Sequence, residues 1–233
     1  MIGNTIGFYA GKHIGLHISV PNKKASFITG SLFRFITPKY NSRKEMIIMI
    51  LETHRLLLRP WEESDAEELY RLAKDEDIGP AAGWPPHKSV DESLNIIRNV
   101  LCGKECYAIC LKPSCKPVGN IELKLNGKTD MTDRDDECEM GFWLGKEYWG
   151  NAIMPEAAGE VLRHGFEELN MSTVWCGYYD GNQKSKRAQE KIGFIYHHTC
   201  DDVPVPLMNE VRIGHTNYMT KQRWQEIKAK SSE

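Results

Sequence analysis

No apolar run in this 233-residue chain reaches the roughly 18–20 residues that cross a bilayer, so no membrane partner is expected. Also missing is the order of charge, apolar core and small-residue cleavage site that marks a signal peptide. There is no internal repeat and no low-complexity segment. The seven cysteines are odd in number and lack paired spacing, which argues against a disulfide framework and for a reducing, cytoplasmic setting. Cys102, Cys106 and Cys110 recur every four residues, but their segment runs from a helix end into a strand. They are not expected to share a face, and they read as small apolar residues with no metal.

Positive charge is scarce in the body of the chain. Residues 1–45 carry seven Lys or Arg and one acid, while the remainder carries 23 basic and 31 acidic residues. An acidic body cannot neutralise phosphates, so nucleic acid is not an expected partner. It suits a cationic partner such as an amine, or serves solubility alone. Residues 1–48 also lack a sustained helical or strand period. The codons of residues 43–45 can read AGG AAG GAG, a bacterial ribosome-binding pattern three codons before Met49. The expectation is a bacterial chain whose translation begins at Met49 or Met46. Residues 1–48 would then be a start-site artefact or a disordered basic extension, followed by a single domain at 49–233.

Hydrophobic residues make up 41% of the chain, enough for a sizeable core. The stretch 54–61 reads as a strand ending at Pro60. A helix follows, with Ser64 as N-cap and Glu67 closing a capping box. Residues 77–89 read as loop from their Gly and Pro content, and Ser89 with Glu92 opens a second helix. Strands are predicted at 106–111, 116–125, 137–144 and 172–179, and late strands at 194–199 and 210–220. Helices are predicted over 152–169 and 182–192, the latter ending at Gly193. This order gives a mixed α/β sheet rather than an all-parallel one.

The joint "EYWGNAIMPEA", residues 147–157, takes a strand into a helix. The helix start leaves about four unpaired N–H groups and a partial positive charge, together an anion site. Gly150 lets the backbone approach a ligand closely. The turn lacks the lysine of a P-loop and the glycine spacing of a dinucleotide fold. It is either a main-chain cradle for a phosphate group or a plain tight turn. A second stretch, residues 182–194, sets Asn182, Ser185 and Gln189 on one helical face beyond the end of a strand.

Together the two stretches resemble the GNAT N-acetyltransferase superfamily, and within it the RimJ/RimL-type branch. The family's acetyl-CoA loop, Gln/Arg-x-x-Gly-x-Gly/Ala, stands here as Glu147-Tyr148-Trp149-Gly150-Asn151-Ala152, with Glu156 and Ala157 following in the helix. The later motif is matched at Asn182, Ser185, Glu190, Lys191, Gly193 and Phe194. The likeness covers about residues 51–220. Glu147 departs from this pattern, and Ala152 from the glycine that the RimJ/RimL branch carries there. Glu147 is expected to face solvent, since a carboxylate aimed at pyrophosphate would repel it.

The resemblance implies an α/β (α+β mixed) fold. Its sheet would be twisted, seven-stranded, mixed and mainly antiparallel, flanked by helices, with splayed fourth and fifth strands. It implies acetyl-CoA as co-substrate, paired with main-chain groups at Phe142, Trp143 and Leu144 and cradled by residues 148–152. It implies an amine acceptor, a protein N-terminus of the ribosomal-protein-alanine kind. The alternatives are a small amine (polyamine, amino sugar or antibiotic) and a non-catalytic acetyl-CoA-binding module. Glu139 is the candidate base, Ser185 the hydroxyl for the leaving thiolate, and Asn182 a cofactor contact. Trp84 and His87 would wall the acceptor site, by stacking on a cation and relaying a proton. The chain is expected to act as a monomer or homodimer.

Overall fold

The computed structural model describes residues 49–230. The N-terminal extension expected at 1–48 lies outside the described residues. Eight strands form one sheet in the order β1-β2-β3-β4-β5-β6-β8-β7. They are β1 Leu51–Glu52, β2 Leu56–Arg59, β3 Cys106–Leu111, β4 Pro117–Leu125, β5 Glu137–Leu144, β6 Thr173–Tyr179, β7 Ile195–Val205 and β8 Glu210–Thr220. All neighbours run antiparallel except β5 and β6. Seven strands were expected, and β1 is the eighth. The single strand expected at 54–61 becomes a hairpin because Thr53 turns the chain: its N–H donates to Leu56 O, and its hydroxyl accepts from Leu56 N–H and donates to Glu156.

The helices are α1 Ala66–Ala73, α2 Gly79–Ala82, α3 Val90–Asn99, α4 Ile153–Arg163, α5 Gln183–Ile192 and α6 Lys221–Lys230. Ser89 caps α3 as expected, its hydroxyl accepting from Glu92 N–H. The cap before α1 lies earlier than expected, as a reciprocal Glu62–Asp65 box rather than Ser64–Glu67. Asp65 also binds Arg59, which fixes it inward. α4 runs on through a π-helical turn, His164–Glu168. α2 falls in the segment read as loop, and α6 is so polar that among its residues only Trp224 is buried.

Strand alternation sorts β4 between two layers. Ile121 and Leu123 join the main core with Val161, Leu162 and Phe166 of the α4 segment. Asn120 and Glu122 stand opposite Ala108 and Cys106 on the other face, where Trp61, Leu69 and Ile97 form a second cluster. Cys106 and Cys110 do share that face, contrary to expectation, because four residues along a strand return to the same side. Cys102 is exposed. β5 and β6 pair only at 137–139 with 173–175 and then part, the splay expected of the fourth and fifth strands.

Candidate active site

A cavity of about 1080 Å³ lies where β5 and β6 part. Every residue anticipated for the site lines it except Asn151. Asn151 is exposed, and its carbonyl accepts from Arg55.

One end of the cavity is the turn into α4. Gly150 has φ +80°, and nothing lies within 4 Å of where its Cβ would be. Ala152, the N-cap, also stands in the left-handed region (φ 56°) and offers no side-chain cap. The first N–H groups of α4 thus keep their donors for a ligand. Glu147 turns outward as anticipated and pairs with Arg71 at 2.9 Å. Beside it Lys146 pairs with Asp77. The Trp149 indole N–H donates to Leu144 O at 2.8 Å, and the Lys184 ammonium sits 3.7 Å over the Trp149 ring. One lone pair of the Leu144 carbonyl is therefore already used, which leaves the second for an added ligand strand.

α5 forms another wall. Asn182 is spent on structure: its Oδ1 accepts from Ser185 N–H, and its Nδ2 donates to Ala81 O. It caps α5 and ties it to α2, while its second N–H and second lone pair face a cavity that it lines. The Ser185 hydroxyl accepts from Gln189 Nε2 at 3.1 Å. Gln189 is fully buried, donating also to Gly177 O and accepting from Asn217. This amide fixes the Ser185 lone pair and leaves the hydroxyl proton to point elsewhere.

Glu139 sits at the splay as anticipated, but both carboxylate oxygens are committed. Lys124 Nζ lies 2.9 Å from Oε1, and the Thr129 hydroxyl donates to Oε2 at 2.6 Å. With one oxygen bonded to Lys124 and the other to Thr129, Glu139 is less available to an incoming ammonium, which argues against its assignment as the base. Glu122, also on the cavity wall, was not anticipated. Burial pushes its carboxyl above the ordinary value; Glu139 adds to this and Lys124 opposes it. The signal lay in "IELKL": with helices over both faces of β4, charges at 122 and 124 can face only the interior or the cavity.

The remaining wall holds Trp84 and His87. Trp84 packs edge-on against Trp143 at 5.9 Å, and Trp143 stacks on Trp61. The His87 ring lies 5.3 Å from Trp84, with Nδ1 2.8 Å from the Ser93 hydroxyl. Burial holds its imidazole below the usual value, although Glu92 pulls the other way. A neutral imidazole in an aromatic wall suits an apolar or cationic guest. Tyr179, at the end of β6, was also missed. Its buried hydroxyl has no hydrogen-bond partner, and burial pushes it up to about 12.

A family model described as an acetyltransferase (GNAT) domain matches residues 55–195. An uncharacterized N-acetyltransferase of Bacillus subtilis (strain 168), YoaA, is 23% identical over 150 residues, 62% of this chain and 82% of that protein. YdaF from the same organism, provisionally named a ribosomal N-acetyltransferase, is 36% identical over 59 residues, 25% of this chain and 32% of its own. Among solved structures, the microcin C7 self immunity acetyltransferase MccE, in complex with acetyl-CoA and AMP, aligns with a TM-score of 0.60 at 16% identity. It covers 72% of this chain and 93% of that one, a likeness of fold. With more than half of its length matched to that model, and the parted strands that accompany the match, this chain belongs to the GNAT acetyltransferase family.

Proposed function

We propose that residues 49–233 form one catalytic domain that moves an acetyl group from acetyl-CoA to a primary amine by direct attack. The observation that carries the reading is the cavity at the splay. It joins the open left-handed turn before α4 to an aromatic wall, with Ser185 between them. The main-chain donors of the turn suit a pyrophosphate. The unpaired edge of β5 beyond Glu139 suits an extended amide-bearing arm, and an N–H there would hold the thioester oxyanion. Nitrogen attacks the carbonyl carbon, the C–S bond breaks, and the Ser185 hydroxyl donates toward the departing sulfur.

The acceptor favoured is a protein N-terminal α-amine, on the RimJ/RimL-like motifs and the short match to the relative named for ribosomal acetylation. A small amine is the second reading, favoured by the enclosing pair Trp84 and Trp143. Acetyl-CoA titration followed by thiol-release assays separates these. The probes are peptides with free N-terminal Ala or Ser, spermidine and tyramine. Binding without release on any amine would leave a non-catalytic acetyl-CoA module. Ser185→Ala is expected to lower kcat and kcat/KM together, roughly five- to a hundredfold, with donor affinity unchanged. A change in affinity alone would make Ser185 a binding contact.

A further inference from the structure

Glu122 and Glu139 present two carboxylates to the same face of the sheet, two cross-strand steps apart. Lys124 stands opposite Glu139, and Glu122 opposite Gly141. Lys124 Nζ lies 2.9 Å from Glu139 but 3.9 Å from Glu122, so the cation belongs to Glu139. Gly141 lies just past Glu139, the last β5 residue paired with β6, so it sits where the strands have begun to part. A Cβ on Gly141 would stand 3.1 Å from Glu122 Oε1. The missing side chain therefore leaves the carboxylate lying over the backbone at the root of the splay. The other groups around it are Cys106 on β3, Glu139 on β5 and Lys128 in the turn after β4. Buried Cys106 keeps its proton, since burial raises its thiol far above the usual value.

We infer that Glu122, rather than Glu139, is the carboxylate that takes the proton from the acceptor ammonium at the root of the splay. The inference rests on the acetyl-transfer reading above. An ammonium entering past Trp84 meets Glu122 and gives it one proton, which frees the nitrogen lone pair. The C–N bond forms as the C–S bond breaks. The second N–H proton leaves with the sulfur as the free thiol, and Glu122 returns its proton to solvent. Glu139, bonded to Lys124 and Thr129, acts as a positioning residue. Its own buried pair holds Lys124 at a distance at which Glu122 remains basic.

The test is the pH profile of kcat/KM for whichever probe amine the wild type acetylates, with acetyl-CoA affinity measured alongside. Glu122→Gln is expected to lose on the order of 10²–10⁴ in kcat/KM and to lose the acidic limb, with donor affinity unchanged. Glu122→Asp, which keeps the charge with a shorter reach, should retain the limb at a reduced rate, a result that packing alone would not give. Glu139→Gln should retain the limb. Glu122→Gln with a rate within about threefold of wild type and an intact acidic limb overturns the assignment. If Glu122→Gln does not fold, the Asp variant decides: a lost limb overturns the assignment, a retained one supports it. A wild type that binds acetyl-CoA yet releases no thiol with any probe amine overturns the acetyl-transfer reading itself, a distinguishable failure.

Discussion

Lys124→Met tests the electrostatics on which the site depends. The Lys124 and Glu139 side chains are 8% and 5% exposed and meet at 2.9 Å. Methionine fills nearly the same volume and removes the charge, so packing changes little. What changes is that Glu139 keeps only the Thr129 hydroxyl, with Glu122 nearby on the same face. Taking one partner from a buried pair costs about 3–5 kcal/mol, because the stranded ion has already lost its water. For a domain of this size each kcal/mol lowers Tm by about 2–4 °C, so the drop should be about 6–20 °C. Adding Glu139→Gln to Lys124→Met removes the stranded charge while keeping a group that Thr129 can bond. The double variant should recover more than half of the loss. The assay is urea or thermal unfolding at pH 7, with the urea slope checked for a change in the unfolded state. A loss below about 1 kcal/mol for Lys124→Met, or no recovery in the double variant, would refute the claim that the pair is desolvated.

Three further outcomes are expected. Ala152→Gly should stabilise the protein by up to about 1 kcal/mol: left-handed backbone costs an alanine about 1–2 kcal/mol, and the added freedom of glycine in the unfolded chain returns about 0.4–1 kcal/mol of that gain. Chemical unfolding reads it, and destabilisation would contradict the left-handed geometry at this N-cap. Gly150→Val should fold with some loss of stability, since nothing lies within 4 Å of its Cβ position but φ +80° strains a β-branched residue, and it should bind acetyl-CoA at least about tenfold more weakly, since each charge-assisted bond lost is worth about 1.5–3 kcal/mol. Unchanged affinity by calorimetry would reduce the turn to a mere turn. His164, 1% exposed, lies between Glu105 at 2.8 Å and Glu168 at 2.9 Å; the bond to Glu105 raises its pKa above the usual 6.5, against the effect of burial. Its contribution is complete below the usual 6.5 and is lost as pH rises through the raised value, so stability should fall as pH rises above 6.5, and a His164→Gln variant should lack that slope.

The frame was legible because its signals are local. The Ser89 cap, the Gly193 stop and the turn at Gly150 each follow from a few neighbouring residues and stand where they were read, and the β-strands follow from their period, with β2 shorter and β7 longer than expected. Their order pointed to a mixed sheet, and the family resemblance implied its splay. The errors come from partners distant in sequence. Glu139 read as a free carboxylate because Lys124 and Thr129 reach it across a hairpin. The bond from Asn182 to Ala81, 101 positions away, could not be placed from the sequence. The Leu144 carbonyl read as open because nothing in "FWLGKEYW" says which way the Trp149 indole turns back. Glu122 was passed over because its burial depends on helices packed over both faces of β4.

The two halves of the cavity are made of different material. The turn before α4 works through its backbone, whereas the opposite wall consists of side chains such as Trp84 and His87 on a segment outside the sheet. The seam between the α4 turn and the α1–α2 region includes two exposed ion pairs, Arg71–Glu147 and Lys146–Asp77, and such rim contacts are individually worth little. On the proposed acetyl-transfer reading, exchanging that tryptophan or histidine would change which amine is accepted and leave the backbone cradle for the donor as it is.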